Sequence, residues 1–152
     1  MSMPTGGRPP GPLSSSSVVE LDVAWREREE EADRLAASTF HSMALSLRLY
    51  SLEIRLKAQI CRALKLSYLP KVCITHDLSQ LIIFTGLWED LEDPANATLR
   101  RNWDLFVDFS KRRLNDQRYL PRAKLDPKDL KSYSDALDDP TDGVLAWLSR
   151  HP

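Results

Sequence analysis

The residues best suited to chemistry lie between Leu45 and Leu87, where a long helical pattern runs into a histidine-bearing loop. Glu53 and Lys57 stand four residues apart with the acid first, the order that favours an ion pair on a helix. On an exposed face such a pair contributes roughly 0.2 to 0.5 kcal/mol. In a buried groove each ion costs far more unless it is paired and hydrogen-bonded. The pair is therefore either a structural ion pair at a packing seam or a polar spot in a cleft or dimer interface. His76, within Thr75-His76-Asp77-Leu78, falls at the start of a short apolar helix, where the positive end of the helix dipole favours a neutral imidazole. It either ties the loop down by a hydrogen bond or contacts a ligand. Cys73-x-x-His76 has metal-ligand spacing, but Cys61 is the only other thiol and no second paired motif exists, so neither a metal nor a cofactor is expected.

The central helix must position these groups. At about 100° per residue, Leu45, Leu49, Leu52, Leu56, Ile60 and Ala63 share one sector, and Leu47, Tyr50, Ile54, Cys61 and Leu64 share a second. Glu53 and Lys57 fall between the two. Arg48, Arg55 and Arg62 recur at intervals of seven on the remaining sector, which is expected to face solvent or a partner. A helix apolar over most of its circumference is a central element with neighbours on several sides.

The chain of 152 residues suits one domain with a sizeable core. Ten Pro, five Gly and abundant Leu, Ala, Arg and Glu favour helices over sheets. The expected fold is all-α, an antiparallel four- or five-helix up-and-down bundle over 18–150 with a short C-terminal helix and a disordered tail at 1–17. A net charge of −1 excludes a globally basic nucleic-acid binder, yet residues 46–73 and 99–124 each carry +5 while 74–98 carry −5. Arg48, Arg55, Arg62, Arg100, Arg101, Lys111 and Arg112 either build one basic surface attractive to phosphate or pair internally with acidic neighbours. Two cysteines, no apolar stretch of membrane length and no apolar signal core predict a cytoplasmic protein with reduced thiols and no membrane partner.

Local signals divide the chain further. Ser17 and Glu20 have capping-box spacing, so the first helix begins near Val18, with Glu27, Glu29, Glu30, Glu31 and Asp33 forming a solvated face. One helix from Val18 to Leu66 would be about 70 Å long. A turn is therefore expected between Ser38 and Ser42, with Ser or Thr capping the second helix. Tyr68-Leu69-Pro70 closes the central helix, Asp77 or Thr75 caps the next, and Gly86 stops it. Asp93-Pro94, Asp126-Pro127 and Asp139-Pro140 each mark an expected helix start. The first of these helices carries Leu99, Trp103, Phe106, Val107 and Leu114 on one face, and Trp147 in the last plugs the end of the core.

Tyr50-Ser51-Leu52-Glu53-Ile54-Arg55-Leu56-Lys57, Thr75-His76-Asp77-Leu78, Asn102-Trp103, Arg118-Tyr119 and Gly143-Val144-Leu145-Ala146-Trp147 occur in that order. In them the chain resembles the HEPN domain family, named for nucleotide binding in higher eukaryotes and prokaryotes, over roughly Leu21 to Leu148. The resemblance implies a helical bundle, often a homodimer, in a bacterial toxin-antitoxin or defence setting beside a minimal nucleotidyltransferase. Many members are metal-independent ribonucleases using Arg, four to six residues, then His. Arg34 and His41 have that spacing but belong to the first helix and the turn after it, whereas the family's pair lies late in the bundle. There Arg101-Asn102 keeps the start of the pattern, and Phe106, Val107 and Asp108 stand where His would supply the acid or base. The expectation is thus a non-catalytic domain, leaning away from an enzyme, that binds a nucleotide, RNA or a nucleotidyltransferase through Glu53, Lys57, His76, Asp77, Arg118 and Tyr119. The alternatives are a ribonuclease toxin using Arg34 and His41, and a purely structural interaction subunit.

Overall fold

The computed structural model describes residues 11–113 and 118–152. The chain is all-α, with one short two-stranded ribbon. Strand β1 (Leu13–Ser17) leads directly into α1 (Val18–Ala37), and α2 (His41–Ala63) returns antiparallel to it. Strand β2 (Tyr68–Pro70) and a 3-10 turn (Lys71–Cys73) lead to α3 (Leu78–Phe84), α4 (Trp88–Glu92), a 3-10 turn (Pro94–Asn96) and α5 (Ala97–Asp108). A π-helical turn (Phe109–Arg113) continues α5. After a 3-10 turn at Arg122–Lys124 come α6 (Pro127–Asp138) and α7 (Val144–Ser149).

The apolar sector that begins at Leu45 is the spine of the core. Leu45, Leu49, Leu52, Leu56 and Ile60 are buried, together with Leu81 and Ile82 of α3, Leu99, Trp103 and Phe106 of α5, Tyr133 and Leu137 of α6, and Val144, Trp147 and Leu148 of α7. Ala63, at the end of that sector, is exposed, and the second sector is only half covered at Leu47, Tyr50 and Ile54. Trp103 and Trp147 meet edge to face with ring centroids 6.2 Å apart, and the Trp147 indole donates to Asp90 Oδ2 at 2.6 Å. Trp147 thus closes one end of the core, as its position at the end of the pattern suggests. Cys61 and Cys73 are buried free thiols, and burial pushes both up from the ordinary thiol range.

Several boundaries follow the capping signals. Ser17 Oγ accepts from Glu20 N, Asp77 from Ser79 N, Asp93 from Ala95 N and Asp126 from Lys128 N. Others depart from them. Leu13–Ser17, assigned to the tail by its serines, is a strand, because β2 offers it an edge: Leu13 pairs with Pro70 and Ser17 with Tyr68. Residues 1–10 of the expected tail, and Leu114, lie outside the described residues. Asp93-Pro94 opens a 3-10 turn that runs into α5 and does not begin the helix itself. Asp139-Pro140 does not start the last helix either. The Asp139 carboxylate accepts from Thr141 N and Asp142 N, which holds it below the ordinary carboxylate range, and Gly143 becomes the N-cap of α7. A Cβ at Gly143 would lie 2.4 Å from Asp139 O, so this tight return admits only glycine.

The turn between α1 and α2 falls where expected, but no Ser or Thr side chain caps α2; its N-cap is Phe40. The chain turns by closing α1. Thr39 N donates to Ala36 O and Phe40 N to Leu35 O, with Thr39 at φ 67°. α2 ends the same way: Lys65 N donates to Arg62 O and Leu66 N to Cys61 O, with Lys65 at φ 54°. This closure normally takes glycine, since a Cβ is strained in the left-handed region. Thr39→Gly therefore raises stability by about 0.5 to 1 kcal/mol, seen as a higher urea midpoint with an unchanged slope.

Candidate functional site

Three of the expected site residues meet where α2 passes the loop before α3. Lys57 Nζ donates to Glu53 Oε1 at 2.8 Å, and His76 Nδ1 lies 3.0 and 3.1 Å from the two Glu53 oxygens. Glu53 and Lys57 are 8% and 9% exposed, whereas the His76 side chain is 92% exposed. A carboxylate only accepts, so Nδ1 carries the hydrogen in this contact and Nε2 is the ring nitrogen left to face outward. The alternatives for the pair thus resolve into a buried ion pair that also anchors an exposed imidazole.

The surrounding groups come from three further places. Asp77 caps α3, and Lys111 of the π-helical turn lies 3.9 Å from the Asp77 carboxylate and 3.4 Å from Ser79 Oγ. Tyr50, one turn before Glu53 on α2, accepts from Arg118 Nη2 at 3.4 Å. Arg118 and Tyr119 are both exposed, and the contacts with the Tyr50 and Tyr119 hydroxyls raise Arg118 further above its ordinary value. Ser79 is new to this set, while Tyr50, read as part of a motif, and Lys111, read as part of a basic surface, stand beside the expected site residues. Lys111 was legible only as part of a basic helix, because the π-helical turn that aims it has no sequence signature.

The arginine sector of α2 is not a solvent face. Arg62 holds both Asp22 oxygens at 2.9 Å, Arg55 stacks 4.6 Å over the Trp25 ring, and Arg48 binds Glu29 at 3.3 Å and both Asp138 oxygens. Asp22, Trp25 and Glu29 ascend α1 as Arg62, Arg55 and Arg48 descend α2, which is how an antiparallel pair zips complementary side chains together. Burial disfavours the Arg48 charge, but the bonds to Asp138 and Glu29 outweigh it and hold the guanidinium firmly charged. Glu29, read as part of a solvated acidic run, is therefore an inward partner. The remaining basic residues also have local acceptors. Arg100 binds Asp104 at 3.0 Å and stacks on Trp88, Arg101 donates to Thr98, and Arg112 pairs with Asp108 at 2.9 Å. Arg48, Arg62, Arg100 and Arg112 thus pair with acidic neighbours, whereas Arg55 stacks on Trp25 and Arg101 donates to a hydroxyl, neither with an ion pair among the described residues.

Arg34, 78% exposed, pairs with Glu30 one turn back on α1 at 2.6 Å. His41 is exposed at the first turn of α2 and lines a shallow groove with Pro127, Leu130, Lys131 and Ser134. That groove is mainly apolar and Arg34 does not line it.

The paired motifs also touch one another. Asn102 Nδ2 donates to Asp142 O at 2.9 Å, beside Gly143, and Trp103 packs on Trp147. Among the described residues no helix is long and apolar enough to cross a membrane. No protein-family model, curated protein or solved structure matches the chain. The chain is an all-α protein with a polar seam in which Glu53 holds Lys57 and His76.

Proposed function

We propose that the chain is a non-catalytic, HEPN-like binding domain of a cytoplasmic bacterial toxin-antitoxin or defence system, and that it acts as a homodimer. Its ligand is a nucleotide or RNA, presented free or by a nucleotidyltransferase partner. The observation that supports this reading is the pairing of the motif residues: Tyr50 with Arg118, Glu53 with Lys57 and His76, Asn102 with the turn at Gly143, and Trp103 with Trp147. Motifs far apart in the chain occur as contacting pairs, which is what a shared architecture requires.

Within this reading the roles are distributed by exposure. Lys57 is consumed by Glu53 and serves the site from beneath. His76 offers Nε2 to a base or hydroxyl, Arg118 and Lys111 meet phosphate oxygens, and Tyr119, 74% exposed, offers a ring on which a base stacks. Titration with a nucleotide panel and a labelled single-stranded RNA tests it. The double variant His76→Ala, Arg118→Ala weakens binding by about tenfold or more, since each charge-assisted contact is worth roughly 1.5 to 3 kcal/mol. Unchanged binding of every nucleotide and RNA in the variant removes this site from the function. Cleavage of total RNA by the wild type and not by His41→Ala would assign an enzyme instead.

A further inference from the structure

A second polar site lies on the other side of α2. Residues 55 and 62 fall about 160° to 180° around the helix from residue 53, so what they line is separate from the histidine seam. There α1, α2, the end of α7 and the residues after it border an open cleft of about 420 Å³ lined by Trp25, Arg26, Arg55, Gln59, Arg62 and Ser149. Asp22, Leu148, His151 and Pro152 complete its polar and apolar walls.

The charge in this cleft is unbalanced. Its side chains bring three guanidinium groups and one carboxylate, and that carboxylate, Asp22, is held by Arg62 through both oxygens and by the Trp25 indole. Burial pushes the Asp22 carboxyl up, but these hydrogen bonds outweigh it and the group sits below its ordinary value, so it stays charged and committed to Arg62. His151 is turned toward Asp90 at 3.4 Å. Arg26 donates to a main-chain carbonyl, Asp22 O, and stacks on Trp25. Arg55 is half-buried, stacks on Trp25 and reaches Ser149 Oγ at 3.3 Å. Among the described residues neither Arg26 nor Arg55 has a carboxylate within ion-pair distance. Burial and the neighbouring arginines outweigh Glu29 and lower Arg55 from its ordinary value, so the site holds a cation that gains from an incoming anion.

We propose that this cleft binds a phosphate monoester, with Arg26 and Arg55 gripping the phosphate and Gln59 and Ser149 contacting the organic group it carries. Two guanidiniums without a direct ion-pair partner suit a dianion, and a phosphate monoester carries about −1.5 to −2 near neutral pH. The planar forks of two arginines fit phosphate oxygens better than they fit a halide or a single carboxylate. The cleft is several times larger than a phosphate needs and falls within the roughly 300 to 1,000 Å³ typical of small-molecule sites. The remaining space accommodates a sugar-sized group.

Thermal shift and calorimetry on the whole chain test this with ribose 5-phosphate, inorganic phosphate, ribose, and sodium chloride at matched ionic strength. Ribose 5-phosphate raises the melting temperature most, inorganic phosphate less, and ribose and chloride not at all. Arg55→Gln weakens ribose 5-phosphate by about tenfold or more. Arg26→Gln, at an exposed position where folding is not at risk, does the same. His76→Ala leaves the response intact, which separates this site from the seam proposed above. The proposal is overturned if chloride reproduces the shift, if Arg26→Gln responds like the wild type, or if inorganic phosphate binds as tightly as the ester.

Discussion

Glu53→Ala lowers the unfolding free energy by about 3 to 5 kcal/mol, the cost of leaving one member of a buried ion pair without its partner. Glu53 and Lys57 each expose 11% of their side chains, so water cannot readily replace the lost carboxylate around the ammonium. Lys57→Ala costs less, because His76 still donates to Glu53. Joint replacement by Leu and Met restores stability to within about 1 kcal/mol of the wild type, since exchanging a buried pair for apolar side chains of similar volume is often neutral. Urea denaturation of the three variants measures all of this. A cost below about 1 kcal/mol for Glu53→Ala, roughly the value of an exposed pair, would show that solvent reaches the seam. The same variant frees His76 from its anchor, so the nucleotide or RNA binding proposed for this site falls with stability in Glu53→Ala but persists in Glu53→Gln, whose amide oxygen still accepts.

Trp103→Ala is the second large effect, a loss of about 3 to 5 kcal/mol, as for other buried aromatic truncations. At this chain length that corresponds to a melting temperature lower by roughly 10 °C. Trp103, on α5, is 1% exposed and packs edge to face with Trp147 of α7. A double-mutant cycle with Trp147→Ala gives a coupling of about 0.5 to 1.5 kcal/mol, the value of an aromatic pair beyond its buried area. Independent losses would mean that the two rings merely fill adjacent space.

The helices were legible in the sequence because their apolar positions repeat and because α1, α3 and α6 start on a capping side chain. Leu45 through Ile60 and Leu99 through Phe106 read directly as buried faces. The helix ends were harder. α1 and α2 close with Thr39 and Lys65 in the conformation that glycine usually marks, so no glycine announces either turn. The sheet was hidden for a different reason: a run of serines has no strand periodicity, and Leu13–Ser17 is extended only because β2 lies beside it. The seam was partly legible, since the i,i+4 spacing of Glu53 and Lys57 is local, but its link to His76 spans 23 residues and depends on the fold. The arginine sector shows the opposite failure. Charge on a helix face implies solvent only when no complementary helix is available, and α1 supplies Asp22, Trp25 and Glu29 in matching order.

The ribbon of β1 and β2 gives the first two helices an unusual topology. β1 ends where α1 begins, β2 follows α2 closely, and Val18 N donates to Ser67 O while Lys71 N donates to Pro12 O. The strand pair therefore joins the ends of the helical hairpin that lie farthest from the turn at 38–40. Residues 13–70 form a loop of backbone fastened at both ends, by covalent turn on one side and by hydrogen-bonded ribbon on the other. A cut in the 38–40 turn would leave the two helices stapled together by the strands, and melting the strands would leave them joined by the turn. Neither event alone releases α1, so the cleft and the arginine zip between the helices outlast damage at either end.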